Sequence, residues 1–151
     1  MRSRFLLPSL LTVILALALA ATGCSSEETG SPAGTGAPEE AAGYVTVDVQ
    51  TAYDALSANE DAQLVDVREP EEWADTGVPE GAVLIPLGDV GSRAASELAA
   101  DAPVYVICRT GNRSQTASDV LVGLGFTEVY NVDGGVTAWI DAGLPMETYA
   151  P

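Results

Sequence analysis

The chain has 151 residues, 47% of them apolar, enough for one domain with a buried core and too few for two of ordinary size. Its 22 acidic residues face six arginines, with no lysine and no histidine, for a formal net charge of −16. That balance excludes nucleic acid and anionic headgroups as partners, since both need clustered cation, and favours a monomer. A catalytic triad that depends on histidine is excluded too.

The N-terminus reads as a targeting segment. "MRSR" supplies two positive charges, an uncharged apolar run of 16 residues follows, and "ATGC" closes it with small residues. A membrane span needs roughly 20 residues, so a signal peptide over 1–23 is expected rather than a transmembrane anchor. The "ATGC" ending resembles a bacterial lipobox, with Ala21 where leucine is usual. The resemblance implies lipid on Cys24, attachment to the membrane through it, and a domain facing the extracytoplasmic side; ordinary secretion is the alternative. Removal of Arg2 and Arg4 leaves four arginines against 22 acids, a formal net of −18. Lipidation of Cys24 would leave Cys108 as the one free thiol.

Residues 24–42 are rich in Gly, Pro, Ser, Ala and Glu without apolar periodicity. They predict a disordered acidic linker reaching on the order of 25 Å, with the globular domain over 43–151. From there the pattern alternates. "YVTVDV" has valines at period two, "QTAYDALSA" has a helical apolar face, and "AQLVDV" reads as a second strand. "REPEEWADTG" carries Pro70 in a first helical turn and Gly77 at its end. "AVLIPL" follows as a strand, then "RAASELAA" as a helix with Ser92 as its cap. "PVYVIC" has the continuous apolar run of a strand buried on both faces. A helix entered near Arg113 runs through Leu124 with Ala117, Val120, Leu121 and Leu124 in register, and "TEVYNV" and "VTAWIDAG" finish the chain. Strands alternating with short helices predict an α/β fold: a five-stranded parallel sheet with helices on both faces. Such sheets bind ligands at the carboxyl ends of their strands, and Cys108 stands at one.

"CRTGNRS" (108–114) holds two of the four remaining arginines, Arg109 and Arg113. A cysteine ending a strand is by itself an ordinary buried residue. Here Gly111 permits positive φ, the amides of 109–113 are able to form an anion nest, and a helix N-terminus adds its positive dipole end. A cysteine so placed is expected to be thiolate at neutral pH.

Four segments in order resemble the rhodanese family: "VDVREPEEW" (65–73), "VPEGAVLIPL" (78–87), "CRTGNRS" and "VDGGVTAW" (132–139). The likeness covers about residues 44–149 and implies a single-domain sulfurtransferase. By the resemblance Cys108 is the nucleophile, Arg109, Thr110, Gly111, Asn112 and Arg113 form the substrate loop, and Arg113 and Ser114 mark the helix entry. Asp66 occupies the family's position near the loop, and Arg68 is expected to pair with Glu69, Glu71 or Glu72. Trp73 and Trp139 read as packing residues. The implied chemistry takes a small sulfur-containing anion such as thiosulfate as donor, passes a Cys108 persulfide to a thiol or cyanide acceptor, and calls for no cofactor and no metal. The chain departs from the family in "TGVPEGA", which lacks the usual histidine and carries an extra glutamate, a question of loop shape. Two competing readings are a carrier or docking module that does not turn over, and a phosphatase or arsenate reductase. The related phosphatase loops place five residues between Cys and Arg, whereas four lie between Cys108 and Arg113.

Overall fold

The computed structural model describes residues 40, 41 and 43–151. The signal peptide expected over 1–23, Cys24 and most of the 24–42 linker lie outside the described residues. Among the described residues eight strands and five α-helices follow in order: β1 (Glu40–Ala41), β2 (Tyr44–Val47), α1 (Val49–Ala58), β3 (Gln63–Asp66), α2 (Pro70–Thr76), β4 (Val78–Pro79), β5 (Val83–Leu84), α3 (Val90–Glu97), β6 (Val104–Ile107), α4 (Asn112–Gly123), β7 (Val129–Val132), α5 (Gly135–Asp141) and β8 (Met146–Glu147). The main sheet runs β1-β2-β7-β6-β3-β5. Five of its strands are parallel, as expected, and β1 adds an antiparallel edge by pairing with β2.

Alternation along the central strands divides the core in two. Val104 and Val106 of β6 face one cluster with Val65, Ala94, Ala117 and Leu121, under α3 and α4. Tyr105 and Ile107 face the other with Leu64, Ala52, Val136 and Trp139, under α1 and α5. All four residues of β6 are buried, which is why its sequence shows no polar alternation. Trp139 fills the second cluster edge-on against Tyr53 at 5.9 Å, and its Nε1 donates to the Pro145 carbonyl at 3.0 Å. Trp73 is likewise buried, beside Tyr149.

The differences from the sequence expectations have local causes. The valine alternation runs on to Val49, but the strand stops at Val47 because Asp48 caps α1, accepting from the Thr51 N–H at 2.8 Å. Ser92 is no cap: α3 begins at Val90 after a 3₁₀ turn, and the Ser92 hydroxyl donates back to the Asp89 carbonyl at 3.0 Å. Only Val83–Leu84 of the "AVLIPL" run joins the sheet. Leu124 lies beyond α4 and is exposed, and the buried face of α4 is Ser114, Ala117, Ser118 and Leu121. The "VPEG" segment forms β4, which pairs with β8 in a separate two-stranded ladder.

Candidate functional site

Strands β3, β6 and β7 end side by side, with Asp66 beside Ile107 in the sheet register. The chain leaves β6 at Cys108, turns through Arg109–Gly111 and enters α4 at Asn112, within a residue or two of the expected helix entry. Gly111 stands at the helix entry with φ +99°, the left-handed geometry the turn requires. A Cβ there would meet Asp133 Oδ1 at 3.1 Å and the Gly134 nitrogen at 3.3 Å, so the loop is pressed against the 133–135 turn. Hydrogen bonds fasten the two together: Val136 N–H to the Cys108 carbonyl at 2.8 Å, and Thr137 N–H and Oγ1 to the Arg109 carbonyl at 3.1 and 3.0 Å.

Cys108 is 1% exposed, and the loop curls around its sulfur. Gly111 N–H donates to Sγ at 3.2 Å, and the Ser114 hydroxyl lies 3.5 Å from it. Burial pushes the thiol up; the Ser114 hydroxyl and the N–H groups of Ser114, Thr110 and Gly111 outweigh it and hold Cys108 below the ordinary thiol value. Five N–H groups were expected to line the nest, and the donors that reach the sulfur include one from beyond it, Ser114.

The two loop arginines behave differently. Arg113 turns away to Glu72 of α2, with Nη1 and Nη2 each 2.7 Å from a carboxylate oxygen. The pair ties α2 to the start of α4. Hydrogen bonds from Arg113 are the main reason that the Glu72 carboxyl is lowered to about 2. Arg109 is exposed and, among the described residues, has no ion-pair or side-chain hydrogen-bond partner. It opens onto a cleft between α2 and α5, lined also by Asp75, Thr76, Val136, Thr137, Ile140 and Asp141. Thr110 and Asn112 are exposed at the loop's rim.

Arg68 pairs with Asp66, not with Glu69, Glu71 or Glu72. Both are almost fully buried, at 2% and 0% exposure, and Nη2 lies 2.6 Å from Oδ2. Further donations reach the Thr76 hydroxyl and the Gly77 carbonyl, each at 2.7 Å. Glu69 and Glu71 are exposed at the start of α2 and Glu72 is engaged by Arg113, whereas Asp66 ends β3 inside the core. Two contacts were invisible in the sequence: Glu72 meets Arg113 across 41 positions, and Ser114 meets Asn131 at 2.6 Å across 17. The one available signal for the second was an asparagine inside the apolar run "VYNV".

Glu72 yields a direct test, because glutamine can keep the α2 capping contact while removing the charge and one of the two oxygens that accept from Arg113. Glu72→Gln should cost about 1 kcal/mol for this partly exposed pair. The folded Glu72 value lies below the unfolded one of 4.5, so the stabilisation is complete above that pH and lost as pH falls toward about 2. Urea titrations of both proteins should therefore differ at pH 7 and converge on acidification through that window.

Among the described residues no group of three or more His, Cys, Asp or Glu is placed to hold a metal, and no helix is long and apolar enough to cross a membrane. Fold and loop define a parallel α/β domain with one buried thiol at the carboxyl end of its central strand. The Rhodanese-like domain family matches residues 48–142, and the chain belongs to that family. It is 38% identical over 104 residues to the thiosulfate sulfurtransferase GlpE of Vibrio cholerae serotype O1, covering 69% of this chain and 95% of that one. It is 35% identical over 101 residues to the putative sulfur carrier protein YrkF of Bacillus subtilis, covering 67% of this chain and 54% of the relative. Among solved structures, a rhodanese-related protein from Thermoplasma volcanium superposes with a TM-score of 0.60 at 30% identity, over 69% of this chain and 98% of that one.

Proposed function

We propose that this protein is a sulfurtransferase that works through a persulfide on Cys108. The Cys108 thiolate attacks the outer sulfur of a donor such as thiosulfate; the S–S bond of the donor breaks and sulfite leaves with its electron pair. A thiolate or cyanide then attacks the outer sulfur of the persulfide and regenerates the Cys108 thiolate. Sulfite departs as a stable anion, so the first step needs no general acid, consistent with a chain that has no histidine. The observation that carries this reading is the buried sulfur held by the Gly111 N–H at 3.2 Å with the Ser114 hydroxyl beside it. Arg109, uncommitted at the rim, is the group to meet an anionic donor. Arg113 braces the loop through Glu72, and the Asp66–Arg68 pair fixes the strand end beneath it.

The same reading places the domain outside the membrane, tethered by lipid on Cys24; its support is the N-terminal sequence alone. Similarity to a sulfur carrier favours one second reading, in which Cys108 holds sulfur for a protein partner without turnover.

Steady-state thiocyanate formation from thiosulfate and cyanide separates the two. The reduced protein should turn over, and Cys108→Ser should lose at least ~10³-fold, as expected when the sole nucleophile is removed. A wild-type protein that accepts one sulfur but does not release it to cyanide or small thiols would establish the carrier. No reaction at Cys108 at all would refute both.

A further inference from the structure

One hydroxyl faces three acceptors in the buried space behind the loop. Ser114 Oγ lies 2.6 Å from Asn131 Oδ1, 2.9 Å from the Gly111 carbonyl and 3.5 Å from Cys108 Sγ. It has a single proton, and the shortest contact assigns that proton to Asn131. Asn131 is 0% exposed on the face of β7 toward α4, and its Nδ2 donates to Thr46 Oγ1 at 3.3 Å. Thr46 is the register partner of Asn131 in the neighbouring strand β2. A buried carboxamide among apolar side chains costs desolvation unless its bonds are made, so its placement calls for a use.

We propose that Asn131 and Thr46 are positioning residues for Cys108, forming a relay in which the carboxamide turns over as the sulfur gains or loses charge. With a neutral sulfur, the Ser114 hydroxyl donates to Asn131 Oδ1 and Nδ2 donates to Thr46. With a thiolate, the hydroxyl swings to Sγ; Asn131 turns over, so that Nδ2 donates to Ser114 Oγ and the Thr46 hydroxyl donates to Oδ1. No covalent bond within the relay changes, and the Cys108 proton leaves to solvent. The two ends of the carboxamide are nearly equal in size, so turning needs no extra room. When sulfur is loaded, the charge moves to the outer atom and the relay reverts.

The other charged groups around the sulfur are the same in every relay variant and do not distinguish them. They are Arg113 with its partner Glu72 on α2, Arg109 in the loop, Asp133 beside Gly111, and the Asp66–Arg68 pair at the end of β3; α3 contributes only Val90 and Ala94 to this cluster.

The inference rests on Cys108 working as a thiolate, and its test needs no sulfur transfer. The rate of Cys108 alkylation by iodoacetamide, followed by intact mass across pH, gives the thiol's inflection. Wild type should titrate below an ordinary thiol. Thr46→Val, nearly the same shape and uncharged, should raise the inflection by about half to one unit and is the deciding variant, and Asn131→Asp, which removes the donor for Ser114 and adds a negative charge, by about one unit or more. Thr46→Ser should restore the wild-type profile, with thermal midpoints confirming that each variant is folded. An unchanged inflection in Thr46→Val and Asn131→Asp, or a raised one in Thr46→Ser, overturns the relay and leaves the proposed function standing. An ordinary inflection in the wild type contradicts the thiolate itself.

Discussion

Arg68→Met is expected to destabilise the domain by ~3–5 kcal/mol, the largest single loss among these residues, because it strands the Asp66 carboxylate without a partner in the interior. Asp66 is 0% exposed and receives the guanidinium at 2.6 Å, together with the Arg68 backbone N–H at 3.0 Å. Only the weaker of those contacts would survive. The Thr76 hydroxyl and the Gly77 carbonyl would also lose a donor, loosening the end of α2. For a domain of this size the expected fall in melting temperature is on the order of 15 °C. The double variant Asp66→Leu/Arg68→Met should recover part of it, since an apolar pair leaves no buried charge. Thermal unfolding of the wild type, the single and the double variant checks this; a single variant within about 1 kcal/mol of wild type would contradict it.

Gly135→Ala should disable the loop from behind. Gly135 has φ +57°, and an added Cβ would stand 2.3 Å from the Cys108 carbonyl oxygen and 2.6 Å from both the Arg109 carbonyl carbon and the Thr110 nitrogen. All three are backbone atoms of the 108–111 loop, so no side chain can move aside to admit the methyl. The loop itself has to shift, and the Val136 N–H bond to the Cys108 carbonyl shifts with it. Strain and lost contacts together should cost ~3 kcal/mol or more, with Cys108 alkylation moving toward an ordinary thiol profile. Gly81→Ala is the matched control: it also has positive φ, at +74°, but its Cβ would meet nothing within 4 Å. It should show backbone strain alone and keep the wild-type thiol.

The parts of this fold that were legible in the sequence are those with a local signature. Val104 to Ile107 read as a doubly buried strand because parallel strands have two apolar faces, and Gly111 and Gly77 marked real turns. The helix entry was off by a residue because Asn112 and Arg113 have no signature separating loop from first turn. At Val49 the period-two pattern outlasted the strand, since the capping power of Asp48 outweighs one more valine. The two-residue ladder of β4 and β8 was too short to carry any period. Pairings across the fold were out of reach for another reason: Arg113 with Glu72 and Ser114 with Asn131 depend on which strand ends converge, which no spacing along the chain encodes. Arg68 has four acids within four positions, and the one it pairs with, Asp66, is set apart only by lying at a strand end inside the core, which spacing alone does not rank.

The proposed function turns on one step, uptake of sulfur by the Cys108 thiolate. The most direct test is the intact mass of the reduced, folded domain after incubation with thiosulfate. A Cys108 persulfide gives a gain of one sulfur atom that is reversed by cyanide and absent in Cys108→Ser. A folded protein with a free Cys108 and no gain in mass would contradict it.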